Sequence, residues 1–253
     1  MPHLLVINPN TREALTTQLL AQLQAQMNAQ MNAQPHPQGA ASRACRLLGI
    51  TAAFGDDYIA SESSYVVAAH AVLEAWQRHV LVHGRPLAVL VACFGDPGVW
   101  ALRETAGVPV IGLAEAAMHE ADALGPFAIV TGGTAWGPML ERLARGMRLG
   151  GSGHLRRVLT VPASGGQMMA DPADAERQLG QACLRAIEED AVWQAASRAE
   201  RAQAASCRET APLASLILGG AALAGWTERL QPPLALPVID SVAAGGRWLM
   251  RQC

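Results

Sequence analysis

Charge of either sign is scarce in this chain. Asp, Glu, Lys and Arg make up 16% of its residues, and 19 basic against 21 acidic side chains leave a net charge of -2. With a pI near 6.4, nothing electrostatic points to nucleic acid or an anionic membrane as partner. No apolar run is long enough to span a bilayer. The opening "MPHLLVINPNT" has neither a signal-like apolar region nor a small-residue cleavage site, so we expect a soluble, cytoplasmic protein. The five cysteines are Cys45, Cys93, Cys183, Cys207 and Cys253, with no CxxC pair among them. That pattern indicates neither a disulfide framework nor a zinc site. The seven histidines are scattered without metal spacing, and there is no HExxH or nucleotide-binding fingerprint. We expect no metal.

What is present is apolar and alternating. The chain has 253 residues, 51% of them hydrophobic, enough for one large or two small α/β units with a core of their own. Short apolar runs at 3–7, 87–92, 126–131, 155–160 and 215–219 read as strands, with shorter or weaker ones at 45–50, 108–113 and 236–240. Helical segments fall between them, at 11–30, 62–82, 98–106, 114–124, 136–147, 172–189 and 241–251. Strands that alternate with helices, and that are apolar throughout, predict parallel sheets covered on both faces. The low-complexity stretch 21–39 reads as a helix end followed by a surface loop at "PHPQG". The Ala-rich, charged stretch 188–212 reads as a long surface helix. A weak internal echo links "VLVACFGDPG" to "LILGGAALAG"; each is an apolar strand ending in small residues and followed by a Pro-containing run.

Three strand ends carry candidate chemistry. Cys93 sits where "LAVLVA" gives way to the turn "FGDPG". Amides of that turn and of the next helix are expected to lower the thiol pKa, making a nucleophile or a general base; the alternative is a buried structural cysteine. "INPNT" offers Asn10 and Thr11, either as a helix-capping turn or, with their amides, as a holder of a carboxylate or carbonyl. "VTGGTAW" offers Thr131, Gly132, Gly133 and Thr134 as donors to an anion, and is not a P-loop because no GK[ST] follows. His3, His70 and His79 read as satisfied structural histidines, Asp96 as a turn residue and Glu104 as a solvated helix residue.

Together these segments resemble the aspartate/glutamate/hydantoin racemases, most closely the hydantoin/allantoin branch. The resemblance rests on "LLVINPNT", "FGDDYIASESSYVVAAHAVLEA", "ACFGDPG", "VPVIGLAEAA", "FAIVTGG" and "LPVIDSVAAG", in order along the chain. It implies a cofactor-independent isomerase whose small-molecule substrate has an acidic carbon beside a carbonyl, and it leaves room for a homo-oligomer. It implies two pseudo-symmetric α/β lobes, 1–112 plus 225–253 and 113–224, with an active-site cleft between them. Each lobe supplies one cysteine, because a single fixed base cannot serve both faces of a carbon. Cys93 takes the place of the first cysteine. Phe94, Gly95 and Ala221 join Asn10, Thr11, Thr131, Gly132 and Gly133 as substrate-binding positions. The sequence departs from the family at the second cysteine, where Gly220 stands. Three outcomes are open: one-sided, decarboxylase-like chemistry on Cys93, a racemase with another second base, or a ligand-binding protein without turnover. If racemase geometry is kept, Gly220→Cys is expected to raise racemization.

Overall fold

The computed structural model describes residues 2–33, 45–147, 154–204, 211–230 and 234–253. Along the chain run β1 (His3–Asn8), α1 (Glu13–Ala33), β2 (Arg46–Thr51), α2 (Glu62–His83), β3 (Val89–Val91), α3 (Val99–Ala106), β4 (Val110–Gly112) and α4 (Leu113–Leu124). Then come β5 (Phe127–Gly132), α5 (Trp136–Gly146), β6 (Leu155–Val161), α6 (Gly165–Ala170), α7 (Pro172–Ala204) and β7 (Ser215–Gly219). A 3-10 turn at Ala221–Leu223, α8 (Thr227–Leu230), β8 (Val238–Asp240) and α9 (Ser241–Met250) complete the described chain. Every strand expected from the sequence is present. The short α6 and α8 are additions: Ser164 and Gln167 build a capping box that starts α6 without any apolar periodicity. The loop "PHPQG" and Cys207 lie outside the described residues.

The strands form two parallel sheets of one connectivity, β2-β1-β3-β4 and β6-β5-β7-β8. The chain divides into two units. The first holds Met1–Ala117, Gly220–Ala224 and Ser241–Cys253; the second holds Met118–Gly219 and Gly225–Asp240. The sequence had placed 225–253 with the first unit and 113–224 with the second. Residues 225–240 join the second because β8 pairs with β7. Gly220–Ala224 joins the first, where Gln22 of α1 donates to the Ala224 carbonyl at 3.2 Å.

Residue alternation builds the layers of the first unit. Leu5, Ile7, Val89, Val91 and Val110 point to the face covered by Val72, Ala75 and Trp76 of α2 and by Val99, Leu102 and Ala106 of α3. The intervening Leu90 points the other way, against α9 at Gly245. Serine at the α2 N-cap closes a capping box with Ser64, and Gly84 ends the helix with φ 74°.

Cys45, just before β2, and Cys253 are joined in a disulfide with a Cα–Cα distance of 6.1 Å. This corrects the reading that the cysteine spacing indicates no disulfide. The pair is 208 residues apart, so only the packing of α9 beside the first sheet reveals it. The bond fixes the C-terminal end of α9 at the amino edge of that sheet. Ser241, at the start of α9, is therefore turned toward the carboxyl edge.

His3 and His79 share a hydrogen bond of 2.9 Å between their Nε2 atoms, and the His79 and His83 rings lie 4.9 Å apart. Burial, with the charges of His3 and His83 adding to it, lowers His79 from 6.5 to about 4. A histidine held down in the folded state stabilises it fully above its unfolded pKa, and that contribution is lost as pH falls. The thermal midpoint is expected to be flat above pH 6.5 and to drop toward pH 4, by roughly 2–4 °C per kcal/mol lost. Circular dichroism melts across this range should show a shallower slope for His79→Gln. An unchanged slope would place the acid sensitivity elsewhere.

Candidate functional site

In each sheet the chain leaves the first strand toward one neighbour and later crosses to the other side. The carboxyl ends of the two central strands then carry loops that diverge, and an α/β sheet binds ligands at such a switch point. In the first unit the switch lies between β1 and β3. In the second it lies between β5 and β7.

The loop after β1 is built by asparagine side chains. Asn8 is fully buried; its Nδ2 donates to the Arg12 carbonyl at 3.1 Å and to Thr16 Oγ1 at 2.9 Å. Asn8 Oδ1 accepts from the Asn10 amide at 3.3 Å, and Asn10 Oδ1 accepts from the Arg12 amide at 3.1 Å. The Thr11 amide donates to the Asp56 carbonyl at 3.2 Å. The two Asx turns and the Asp56 carbonyl together use up the amides of residues 10–12, which the sequence had offered to an anion. What remains for a ligand here is Asn10 Nδ2 and the Thr11 hydroxyl.

Beside this loop, β3 delivers Cys93, a half-buried cysteine outside the disulfide. The two loops are tied by the Ala92 amide, which donates to the Ile7 carbonyl at 2.8 Å. The turn after Cys93 is held from several sides. The Asp96 amide donates to the Cys93 carbonyl at 3.2 Å, and the Tyr65 hydroxyl of α2 donates to the Gly95 carbonyl at 3.0 Å. Phe94 is buried beneath it. Asp96 itself has φ 59°, an uncommon conformation for a non-glycine residue. It turns its carboxylate onto the start of α4, where Oδ1 accepts from the Ala114 amide at 2.9 Å and Oδ2 from the Glu115 amide at 2.7 Å. Gly112 makes this possible, since a Cβ there would overlap the Asp96 side chain. Glu115 is paired with Arg103, which also donates to the Val110 carbonyl at 2.9 and 2.7 Å.

The expected depression of the Cys93 pKa is not found. Burial pushes the thiol up, and the charge of Asp96 pushes it further the same way. The turn places its amides on other acceptors, and α3 starts at Gly98 with no side-chain cap. Desolvation therefore outweighs the helix end. Cys183 is buried in α7 and is pushed up to about 12 by burial alone, as befits a structural cysteine.

In the second unit, the buried Thr131 hydroxyl donates to the Gly219 carbonyl at 2.7 Å, bracing β5 against β7. The Gly133 amide donates to the Val161 carbonyl at 2.8 Å. Gly132 lies half-buried against Met168 and the Ala163 carbonyl. Thr134 is exposed.

Gly220 follows β7 directly. Its amide donates to Ser241 Oγ at 3.3 Å, and its carbonyl accepts from the Leu223 amide at 2.9 Å. Ser241 is buried and stands at the head of α9, so Gly220 and the half-buried Ala221 are held toward the carboxyl edge of the first sheet, the edge that carries Cys93. Gly220 has φ 147°, and a Cβ there would meet Leu223 Cδ1 and Cγ at 3.3 Å. The first unit thus gathers Asn10, Thr11, Cys93, Phe94, Gly95, Gly220 and Ala221, while Thr131, Gly132 and Gly133 belong to the second. Sequence reasoning missed Tyr65, the capping role of Asp96, and Ser241. The last stands inside the segment "LPVIDSVAAG", but its use depends on where α9 packs.

The profile of the Asp/Glu/Hydantoin racemase family matches residues 4–247. A hydantoin racemase from Pseudomonas sp. (strain NS671) is 33% identical over 62% of this chain, a match spanning about half of that relative, 55% of its length. One from Paenarthrobacter aurescens is 27% identical over 96% of this chain and 88% of the relative. The structure of an allantoin racemase from Klebsiella pneumoniae is similar with a TM-score of 0.76 and 26% identity, covering 99% of this chain and 87% of that one.

Proposed function

Because the chain belongs to the Asp/Glu/hydantoin racemase family, we propose that it is a cofactor-independent isomerase-type enzyme. Its substrate is a hydantoin-like carbon acid, with an acidic carbon beside a carbonyl. Cys93 is the acid/base thiol, and the reading is carried by the place of that thiol: half-buried, at the switch point of the first sheet, beside the Asn10–Thr11 loop. Asn10 Nδ2 and the Thr11 hydroxyl hold a substrate oxygen, with Phe94, Gly95 and Ala221 shaping the site. Cys93 removes the proton from one face as thiolate, and the electron pair passes into the carbonyl as an enolate. The resulting thiol then returns a proton. With Gly220 in the post of the second thiol, Cys93 serves one face only.

The test is solvent-deuterium exchange at the acidic carbon of a 5-substituted hydantoin and of allantoin, followed by NMR and polarimetry. Exchange with retained optical activity supports one-sided chemistry. Exchange with loss of optical activity means another group acts on the second face. No exchange leaves a ligand-binding protein without turnover.

A second reading has its own support. A thiol pushed up by burial and by Asp96 rests protonated, which suits a proton donor to a carbanion left by loss of carbon dioxide from a malonate-type acid. The pH profile separates the two. Exchange that needs thiolate rises with pH over the neutral range, whereas proton donation is flat there.

Asn10→Ala is expected to weaken substrate binding and, by removing the acceptor for the Arg12 amide, to cost about 1 kcal/mol of stability. Calorimetric binding and thermal melts measure both. Loss of stability with binding unchanged would show that Asn10 serves the turn alone.

A further inference from the structure

We propose that Arg12, stacked on Tyr58 beside the Asn10–Thr11 loop, is a specificity-determining residue that binds a carboxylate on the substrate. The substrate class is then a hydantoin-like carbon acid whose acidic carbon bears an anionic substituent. The inference rests on the reading of the Cys93 site given above and adds the chemistry of the part of the substrate that does not react.

The backbone of Arg12 is fixed at the switch point. Its amide donates to Asn10 Oδ1 and its carbonyl accepts from Asn8 Nδ2, each at 3.1 Å. The loop after β2 is tied to the same turn, since the Thr11 amide donates to the Asp56 carbonyl at 3.2 Å. From that loop Tyr58 meets the Arg12 side chain twice. The guanidinium lies over its ring, 4.7 Å from the centroid, and Nη1 donates to its hydroxyl. The guanidinium is exposed and held in one pose without a charged partner. Glu13, Asp56 and Asp57 stand in the same two segments, yet among the described residues no carboxylate pairs with Arg12. Its remaining N–H donors form a planar fork that matches a carboxylate. The Tyr58 hydroxyl accepts from Arg12 and so has its own proton to donate to the same anion.

The place suits the reaction. The strands lie in the order β2, β1, β3, with Tyr58 after β2, Asn10 to Arg12 after β1 and Cys93 after β3. Cation, oxygen-binding loop and thiol therefore follow one another along one carboxyl edge, across two strand spacings or about 10 Å. Asn10 between them is 7% exposed, and with Oδ1 on the Arg12 amide it has Nδ2 left for a substrate oxygen. With the acidic carbon at Cys93 and the neighbouring carbonyl oxygen at Asn10 and Thr11, a substituent on that carbon lies beside the oxygen. A short one that ends in a carboxylate reaches Arg12 and Tyr58.

The test compares two compounds of one size that differ in charge, 5-(carboxymethyl)hydantoin and its amide, 5-(carbamoylmethyl)hydantoin. Solvent-deuterium exchange at the ring carbon is followed by NMR and read as the ratio of kcat/KM, carboxylate over amide. The wild type is expected to prefer the carboxylate roughly tenfold or more, the worth of a charge-assisted contact, with the difference in KM. Arg12→Gln should bring the ratio to within about twofold of one, and Tyr58→Phe should lower it several-fold. A wild-type ratio near one, or a preference that Arg12→Gln keeps, overturns the proposal; an equal loss on both compounds would mean that Arg12 only ties the two loops, and overturns it too. Should Arg12→Gln fail to fold, the wild-type ratio against salt decides: it is expected to shrink as salt is raised, and a ratio indifferent to salt refutes the proposal. If the wild type exchanges neither compound, the acid/base reading of Cys93 fails, and calorimetric binding of the same pair decides for Arg12. A carboxylate preference in Kd that Arg12→Gln abolishes supports the proposal; equal affinity, or no binding, overturns it.

Discussion

Cys93→Ser is expected to lower solvent-deuterium exchange at the substrate carbon by roughly 10²–10⁴, the usual worth of a positioned proton-transfer group. Serine keeps the size and the turn. The Cys93 carbonyl still accepts the Asp96 amide, and the Tyr65 and Asp96 contacts are made by other atoms. The thermal midpoint should therefore move little, while a serine alkoxide is much harder to form than a thiolate in the same place, so the hydroxyl does not carry the proton to and from carbon. Exchange followed by NMR, with melts on the same samples, separates lost chemistry from lost fold. If Cys93→Ser retains exchange, the base lies elsewhere and Cys93 is a structural cysteine.

Gly220→Cys is the second large effect, and the structure changes its direction. Read from sequence, Gly220 is an empty post awaiting a thiol. In the fold it has φ 147° and sits under Leu223, 3.3 Å from where a Cβ would stand. A side chain there carries backbone strain of roughly 1–3 kcal/mol, and it crowds the 3-10 turn at Ala221–Leu223. We expect Gly220→Cys to lower the thermal midpoint by several degrees, roughly 2–4 °C per kcal/mol, and to leave exchange one-sided. Adding Leu223→Ala should relieve the crowding and not the backbone strain, so part of the loss remains. Polarimetry and melts on the same samples check both effects. A racemization gain of roughly 10²–10⁴ with an unchanged midpoint would show that the turn rearranges freely around a thiol, and that glycine here is merely a missing cysteine.

The strands were legible for a simple reason. Parallel strands covered on both faces must be apolar at every position, so "HLLVI" and "SLILG" announce themselves without context. The helices between them follow from the chain's need to return to the same sheet edge. The candidate positions were legible as strand ends carrying Asn, Thr, Gly or Cys. Their chemistry was not. "INPNT" looks like a set of free amides, but whether an amide is free depends on Asn8 and on Asp56, which reaches it from another loop. "FGDPG" looks like an activating turn, but Asp96 spends its carboxylate on α4 and sets its charge against the thiol.

Sequence by itself determined the α/β class, the order of the strands and of the longer helices, and the family. These are matters of local pattern, which short-range sterics and burial write into consecutive residues. Tertiary structure alone decided that Cys45 meets Cys253, that Gly220–Ala224 goes with the first unit while β8 goes with the second, and that Ser241 holds the Gly220 amide. It also decided that Cys93 is pushed up rather than down. Each of these depends on groups far apart in the chain and close in space, and a proton's affinity is set by what surrounds it rather than by what precedes it in sequence.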